Sequence, residues 1–289
     1  VYKRQVFRVR ANWLTIYLAV MIKTLIVSLA SFGLQNNPYE SSQVNSKVGL
    51  CFFFVMQEML MSNGSMSLFQ SGRALFFHER RQRLYGASEY FAAVVLIDLF
   101  FFIFIPGFFF AGIVYVAGKF NPIPVRVVIG LYVGTITNMV GGSFYTLAGI
   151  GMPNMAYASM FGNVMETSSA IYAGFLLKTS NIRSWIRWVA YLVPARYALH
   201  ALILNEYHDT YVACEPDVTD KGTVLEVGSS VPSMYHKNDT DCYTGNEIVN
   251  FWGADLNPPT RVDDMVILLM YALGQYFIAY LVLVLAVDR

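Results

Sequence analysis

Residues Tyr90–Val116 run YFAAVVLIDLFFFIFIPGFFFAGIVYV, with Asp98 as the one charge. A helix needs ~20 mostly apolar residues to cross the hydrocarbon core of a bilayer. This stretch exceeds that length and is the most apolar part of the chain, above all in Leu99–Pro106. Working outward, five further stretches qualify: Trp13–Leu34, with Lys23 as its charge; Val48–Phe69, dense in Phe and Met; Val127–Ile150, rich in Gly and Thr; Met155–Leu177; and Met265–Val287. The expected fold is therefore an all-α membrane protein. It has an amphipathic helix at the N-terminus, six transmembrane helices and one large external loop, residues 206–262, between the fifth and sixth spans. All 289 residues belong to this one domain.

Composition agrees. Hydrophobic residues make up 56% of the chain and charged ones 13%, too little charge to cover a soluble domain of this length. A formal net charge of +1 with no basic stripe argues against a nucleic-acid partner. The first residues are polar and basic and run into a stretch too long for a signal peptide.

Charge in the connections sets the orientation. Arg4, Arg8 and Arg10 precede the first span, and Arg73, Arg80, Arg81 and Arg83 lie between the second and third. The short connections after the first and third spans carry only Lys47, Lys119 and Arg126. The positive-inside rule then predicts cytoplasmic N- and C-termini. Lys178–Tyr207, with Trp185 and Trp188, is expected to form short helices dipping into the membrane boundary rather than a span. Residues 206–262 would be external. Asn238-Asp239-Thr240 is a glycosylation sequon there, and Cys214 and Cys242 would meet an oxidising compartment. A disulfide between them would contribute ~3–4 kcal/mol by chain entropy. Cys51 is expected to be a buried thiol, and the sequon Asn63-Gly64-Ser65, inside the second span, to stay unmodified.

Two groups of motifs resemble a known family. The first is Phe77-His78-Glu79-Arg80, then Tyr85, Tyr90-Phe91 and Asp98. The second is Gly174-Phe175-Leu176-Leu177, Asn181-Ile182, Trp185, Trp188, Tyr191, Pro194, Tyr197 and Asn205-Glu206-Tyr207. Together they resemble the G subfamily of ATP-binding-cassette transporters, the white and pleiotropic-drug-resistance type. Arg183 stands where that family usually has Pro, and Tyr207 where it usually has Phe. The resemblance runs from about Phe7 to the end.

It implies the membrane-spanning part of an ATP-driven exporter of lipids, sterols or amphipathic small molecules, working as a homo- or heterodimer by alternating access. Membrane lipids and a hydrophobic substrate would be its further partners, and the plasma membrane or an endomembrane its location. No phosphate-binding loop occurs in the chain. The nucleotide-binding domain, with ATP and Mg, is thus expected before residue 1, and this chain is expected to hold no cofactor and perform no catalysis.

The resemblance also suggests roles. Glu79, Arg80, Arg81 and Arg83 would couple to the nucleotide-binding domain, although a solvated loop obeying positive-inside statistics would look the same. Met56, Gln57 and Leu60 on the second span, with Glu166, Thr167 and Ala170 on the fifth, would line the substrate cavity, and Phe175 and Leu176 would plug it. Met suits an adaptable surface, yet the Phe and Met run covers every face of its helix, so half must face lipid or packing. Glu58, Asp98 and Glu166 fall within spans, where an ionised carboxylate costs roughly 3 kcal/mol at the centre; Gln57 and Lys23 are candidate partners. Glu166 would either select cationic or hydroxylated substrates or pair silently with a neighbouring helix. A membrane-embedded lipid-modifying enzyme is the alternative, but His200, Glu206 and His208 lack metal-ligand spacing and no His, Ser and Asp cluster is evident.

Overall fold

A computed structural model describes residues 10–31, 41–177, 182–208, 248–249 and 261–287. Helices and turns account for these residues, with no strand among them. Their order is α1 (Arg10–Ser31), α2 (Ser41–Met61), α3 (Gly64–Arg81), α4 (Ala87–Asp98), a π-helical segment (Leu99–Phe104), α5 (Ile105–Ala117), α6 (Pro124–Gly151), α7 (Met155–Tyr172), α8 (Arg187–Tyr191), α9 (Pro194–Tyr207) and α10 (Arg261–Val287). Among the described residues, three stretches are long and apolar enough to cross a membrane by length and composition: Ala87–Ala117, Pro124–Gly151 and Arg261–Ala286. They coincide with the third, fourth and sixth expected spans. Within α1, Tyr17–Leu29 is apolar but shorter.

The second expected span, Val48–Phe69, is not one helix. It breaks at Ser62–Asn63, so Phe69 belongs to α3. Asn-Gly is a turn-forming pair, and here it interrupts an apolar run. The Ser62 hydroxyl donates to the Asn138 carbonyl of α6 at 2.8 Å, which fixes the break against the bundle. The fifth expected span also ends early, at Tyr172. Gly174 follows with φ +100°, a conformation that side chains resist, and the chain doubles back so that Phe175 stacks on Phe52 at 4.8 Å.

Helix α6 is the axis of the bundle. It packs against α2, α3, α5, α7, α9 and α10, and more than half of its residues are buried. Small residues permit this: a side chain at Gly141 would collide with the Met59 backbone of α2, and one at Gly149 with the Met66 backbone of α3. Helices in lipid gain little from the hydrophobic effect and associate through such close approaches.

Pro106 explains the π-helical segment. It lacks an N–H and its ring would press on the carbonyl four residues back, so the ladder widens and the Ile105 N–H bonds to Phe100 O instead. Side chains from other helices take up neighbouring carbonyls. Tyr17 Oη donates to Phe101 O at 2.7 Å and Asn138 Nδ2 to Ile103 O at 3.0 Å. Backbone groups at membrane depth must find partners inside the protein.

The segment expected to skim the membrane boundary divides in two. Trp185 and Trp188, beside and in α8, are exposed, as such anchors would be. Helix α9 is different: nearly all of it is buried, against α2, α6, α7 and α10.

Candidate functional site

The cavity candidates lie on α2 and α7, which touch. Met56 is buried in the main core; Gln57 and Leu60 are half-buried; Thr167 is exposed and Ala170 half-buried. Phe175 closes the α2 side through its stack on Phe52, while Leu176 is exposed. Glu166 has partners within the chain. Tyr145 Oη donates to its Oε2 at 2.8 Å, and Lys23 of α1 attracts it at longer range than an ion pair. The hollow beside it, lined by Met59, Gly141, Tyr145 and Met165, holds about 10 Å³, room for no more than one water.

Two other carboxylates are buried more completely. Glu58 and Asp98 are fully enclosed, and among the described residues neither Glu58 oxygen makes a hydrogen bond. The polar neighbours of Asp98 are the Ser65 and Tyr276 hydroxyls. Since charge here would be costly, a neutral isostere should be well tolerated. Glu58→Gln is expected to express and melt as the parent protein does, within about 1 kcal/mol; a collapse in yield of monodisperse protein would show that Glu58 works as an anion.

At the far end of α3 the candidate coupling residues form a tight corner. Glu79 Oε2 accepts from Tyr85 Oη at 2.5 Å, and Arg80 Nη1 donates to Tyr85 O at 3.3 Å. Arg83 takes φ 57° to turn the chain, and Arg81 and Arg83 are exposed. Below the corner, Phe76 stacks on Tyr90 at 4.1 Å. Further along α3, Gln70 Nε2 and Arg73 Nη1 donate to Met152 O at 2.9 and 2.8 Å. The helix is thus tied to the turn between α6 and α7 as well as to α4.

Sequence reasoning missed the most polar cluster. Lys47, expected in a connection, lies in α2 and is 2% exposed. Its Nζ donates to Glu206 Oε1 of α9 and, at 3.1 Å, to Lys119 O. The other Glu206 oxygen accepts the Asn121 N–H at 3.0 Å. Arg126, also expected in a connection, starts α6; it donates to Glu206 O at 2.8 Å and His208 O at 2.7 Å. Asn205 Nδ2 donates to Arg126 O at 2.8 Å. The Asn205-Glu206 pair was the available signal. His200 instead bonds Asp264 of α10 through Nδ1 at 2.6 Å, while the Glu206 carboxylate takes Lys47 and the Asn121 N–H, so the His200 and Glu206 side chains go to separate partners. Cys51 is a buried thiol; Cys214, Cys242 and Asn238 lie outside the described residues.

Comparison with known proteins supplies the context. The profile of the family described as "ABC-2 type transporter" matches residues 1–207. Relatives include ABC multidrug transporter SNQ2 of Candida glabrata, 23% identical over 79% of this chain and 15% of its own length. The Brefeldin A resistance protein of Schizosaccharomyces pombe is 27% identical over 68% of this chain and 12% of its own length. ABC transporter G family member 12 of Dictyostelium discoideum is 22% identical over 74% of this chain and 32% of its own length. The chain spans less than a third of each relative.

Proposed function

Because the chain belongs to the ABC-2 type transporter family, and so is an integral membrane protein with a transport role, we propose that it is the membrane-spanning part of an ATP-driven exporter of lipids, sterols or amphipathic small molecules. The family match over residues 1–207 carries this reading. ATP and Mg act in a nucleotide-binding domain, and closure of that domain pushes on α3 at Glu79, Arg80, Arg81 and Arg83. Two copies, identical or not, enclose the substrate path along α2 and α7. The exposed apolar residues of α7, Tyr157, Met160 and Val164, favour such a contact. The α3–α4 corner faces the cytoplasm, and the brace around Glu206 faces outward. Basic residues near the corner support this orientation.

The test is reconstitution of the full-length transporter in liposomes, with ATPase and export measured against a panel of lipids, sterols and amphipathic drugs. Substrate-stimulated ATPase with matching export supports the proposal; ATPase indifferent to every compound, with no export, overturns it.

Glu166 discriminates within this reading. Its bonds to Tyr145 and its attraction to Lys23 favour an intramolecular role. Glu166→Gln keeps the shape and an acceptor for Tyr145, so it should lower export of cationic and neutral substrates alike, by about 3- to 10-fold, as exchange of a charge-assisted hydrogen bond for a neutral one, a difference of about 1 kcal/mol, would. A loss confined to cationic substrates would instead place the carboxylate on the path.

A further inference from the structure

An apolar groove of about 710 Å³ lies away from the α2–α7 face, between α4–α5 on one side and α6 with Leu269 of α10 on the other. Its wall runs from Leu96 to Phe108 and takes in the π-helical segment. Its opposite wall runs from Val128 to Met139 on α6. The geometry points to a binding site for one acyl chain of a membrane glycerolipid, held as a resident ligand distinct from the lipid that bathes the rest of the surface.

Four observations carry this. The first is depth. Both walls belong to stretches long and apolar enough to cross the membrane, so what enters the groove comes from the bilayer. Shape is the second. Twelve residues of helix cover about 18 Å, close to the ~15 Å of one leaflet of a ~30 Å core, so the groove is as long as one chain and no longer.

The third is chemistry along the length. Phe104 and Phe108 stack nearly parallel, 12° apart, as a flat side. The Thr135 hydroxyl is turned onto its own helix, donating to Leu131 O at 2.8 Å. The Asn138 side chain, the strongest polar group nearby, is consumed: its Nδ2 donates to Ile103 O and its Oδ1 accepts from Ser62 Oγ. The groove therefore suits methylenes. The fourth is one polar group at one end. Tyr132 sits two turns into α6, about 12 Å from its start. With a 28-residue helix centred on the hydrocarbon core, that is only about 6 Å inside its edge, within reach of a tyrosine that extends its phenol toward the interface. A lipid ester carbonyl at the top of the chain would meet it there.

An ordinary lipid-facing surface offers the contrast. On α1, Leu18, Met21 and Leu25 are exposed as a row with no facing wall among the described residues. Rigid walls on both sides give a chain contacts that such a row cannot, and dispersion contacts add up over many atoms.

The test uses the full-length protein in nanodiscs containing phosphatidylcholine with a diazirine midway along one acyl chain. Crosslinked peptides are mapped by mass spectrometry. Labelling of residues 96–108 and 128–139 should exceed labelling of 17–29 several-fold, should persist after dilution into unlabelled lipid longer than that of 17–29, and should fall in Val128→Trp, which fills the exposed mouth, and in Tyr132→Phe. Val128 is exposed, so that variant should fold; a normal elution profile checks it. Equal labelling of groove and α1, groove labelling unchanged in both variants, or labelling by a diazirine sterol but not by the phospholipid would each overturn the proposal.

Discussion

Lys47→Met should destabilise the protein by about 3–5 kcal/mol, the usual consequence of removing one partner from a buried ion pair. Glu206 would keep its bond from the Asn121 N–H but would hold an uncompensated charge in a site that is 1% exposed. Purified in detergent, the variant should melt far below the parent, and its yield in membranes should fall. Adding Glu206→Gln removes the stranded charge while preserving an acceptor for Asn121, so the double variant should recover much of the loss. A double variant no better than Lys47→Met alone would show that the other contacts of the Lys47 ammonium, over the Phe120 ring at 5.5 Å and to Lys119 O at 3.1 Å, matter more than its pairing with Glu206. The cluster joins α2, the α5–α6 connection, α6 and α9, so its loss should loosen one entire end of the bundle.

Glu79→Ala should leave expression near normal and abolish most export while ATP hydrolysis continues. A tenfold loss of coupling corresponds to about 1.4 kcal/mol between the two sites. Two routes could produce it. Glu79 holds Tyr85 at the corner, and it also presents charge beside Arg80, Arg81 and Arg83. Tyr85→Phe removes only the internal bond. If that variant exports normally, Glu79 acts on a partner outside this chain; if it fails equally, the corner itself transmits the push. Export at the parent rate in Glu79→Ala would remove the residue from the coupling role.

Element type was legible because bilayer physics leaves so few choices: a long apolar run has to be a helix. Boundaries were harder where one residue outweighed the run. Asn63-Gly64 sits among Met, Leu and Phe, and its turn chemistry was hidden by the hydropathy around it. Gly174 ended α7 five residues before the apolar composition did. Lys47 and Arg126 misled in a common way. Charge argues for solvent, and only the partner reverses the argument; the partner of Lys47 is 159 residues distant. Helix α9 was accordingly expected at the membrane boundary, whereas nearly all of it is buried inside the bundle. At the candidate cavity, the α2 and α7 positions came from the resemblance alone, and the tie from Glu166 to Tyr145 depends on how α6 crosses α7, which no local pattern reveals.

The late position of α10 has a consequence for how the protein is made. Ribosomes deliver α1 through α9 first, and the long segment after Tyr207 must follow before α10 reaches the membrane. Until then His200 waits for Asp264, and the crevice along α6 at Gly142 for Tyr276. A nascent chain halted before Arg261 would present those orphaned groups to lipid, in the state that quality-control factors detect. Premature stops anywhere upstream of α10 are therefore expected to yield degraded chains, never shortened but working ones.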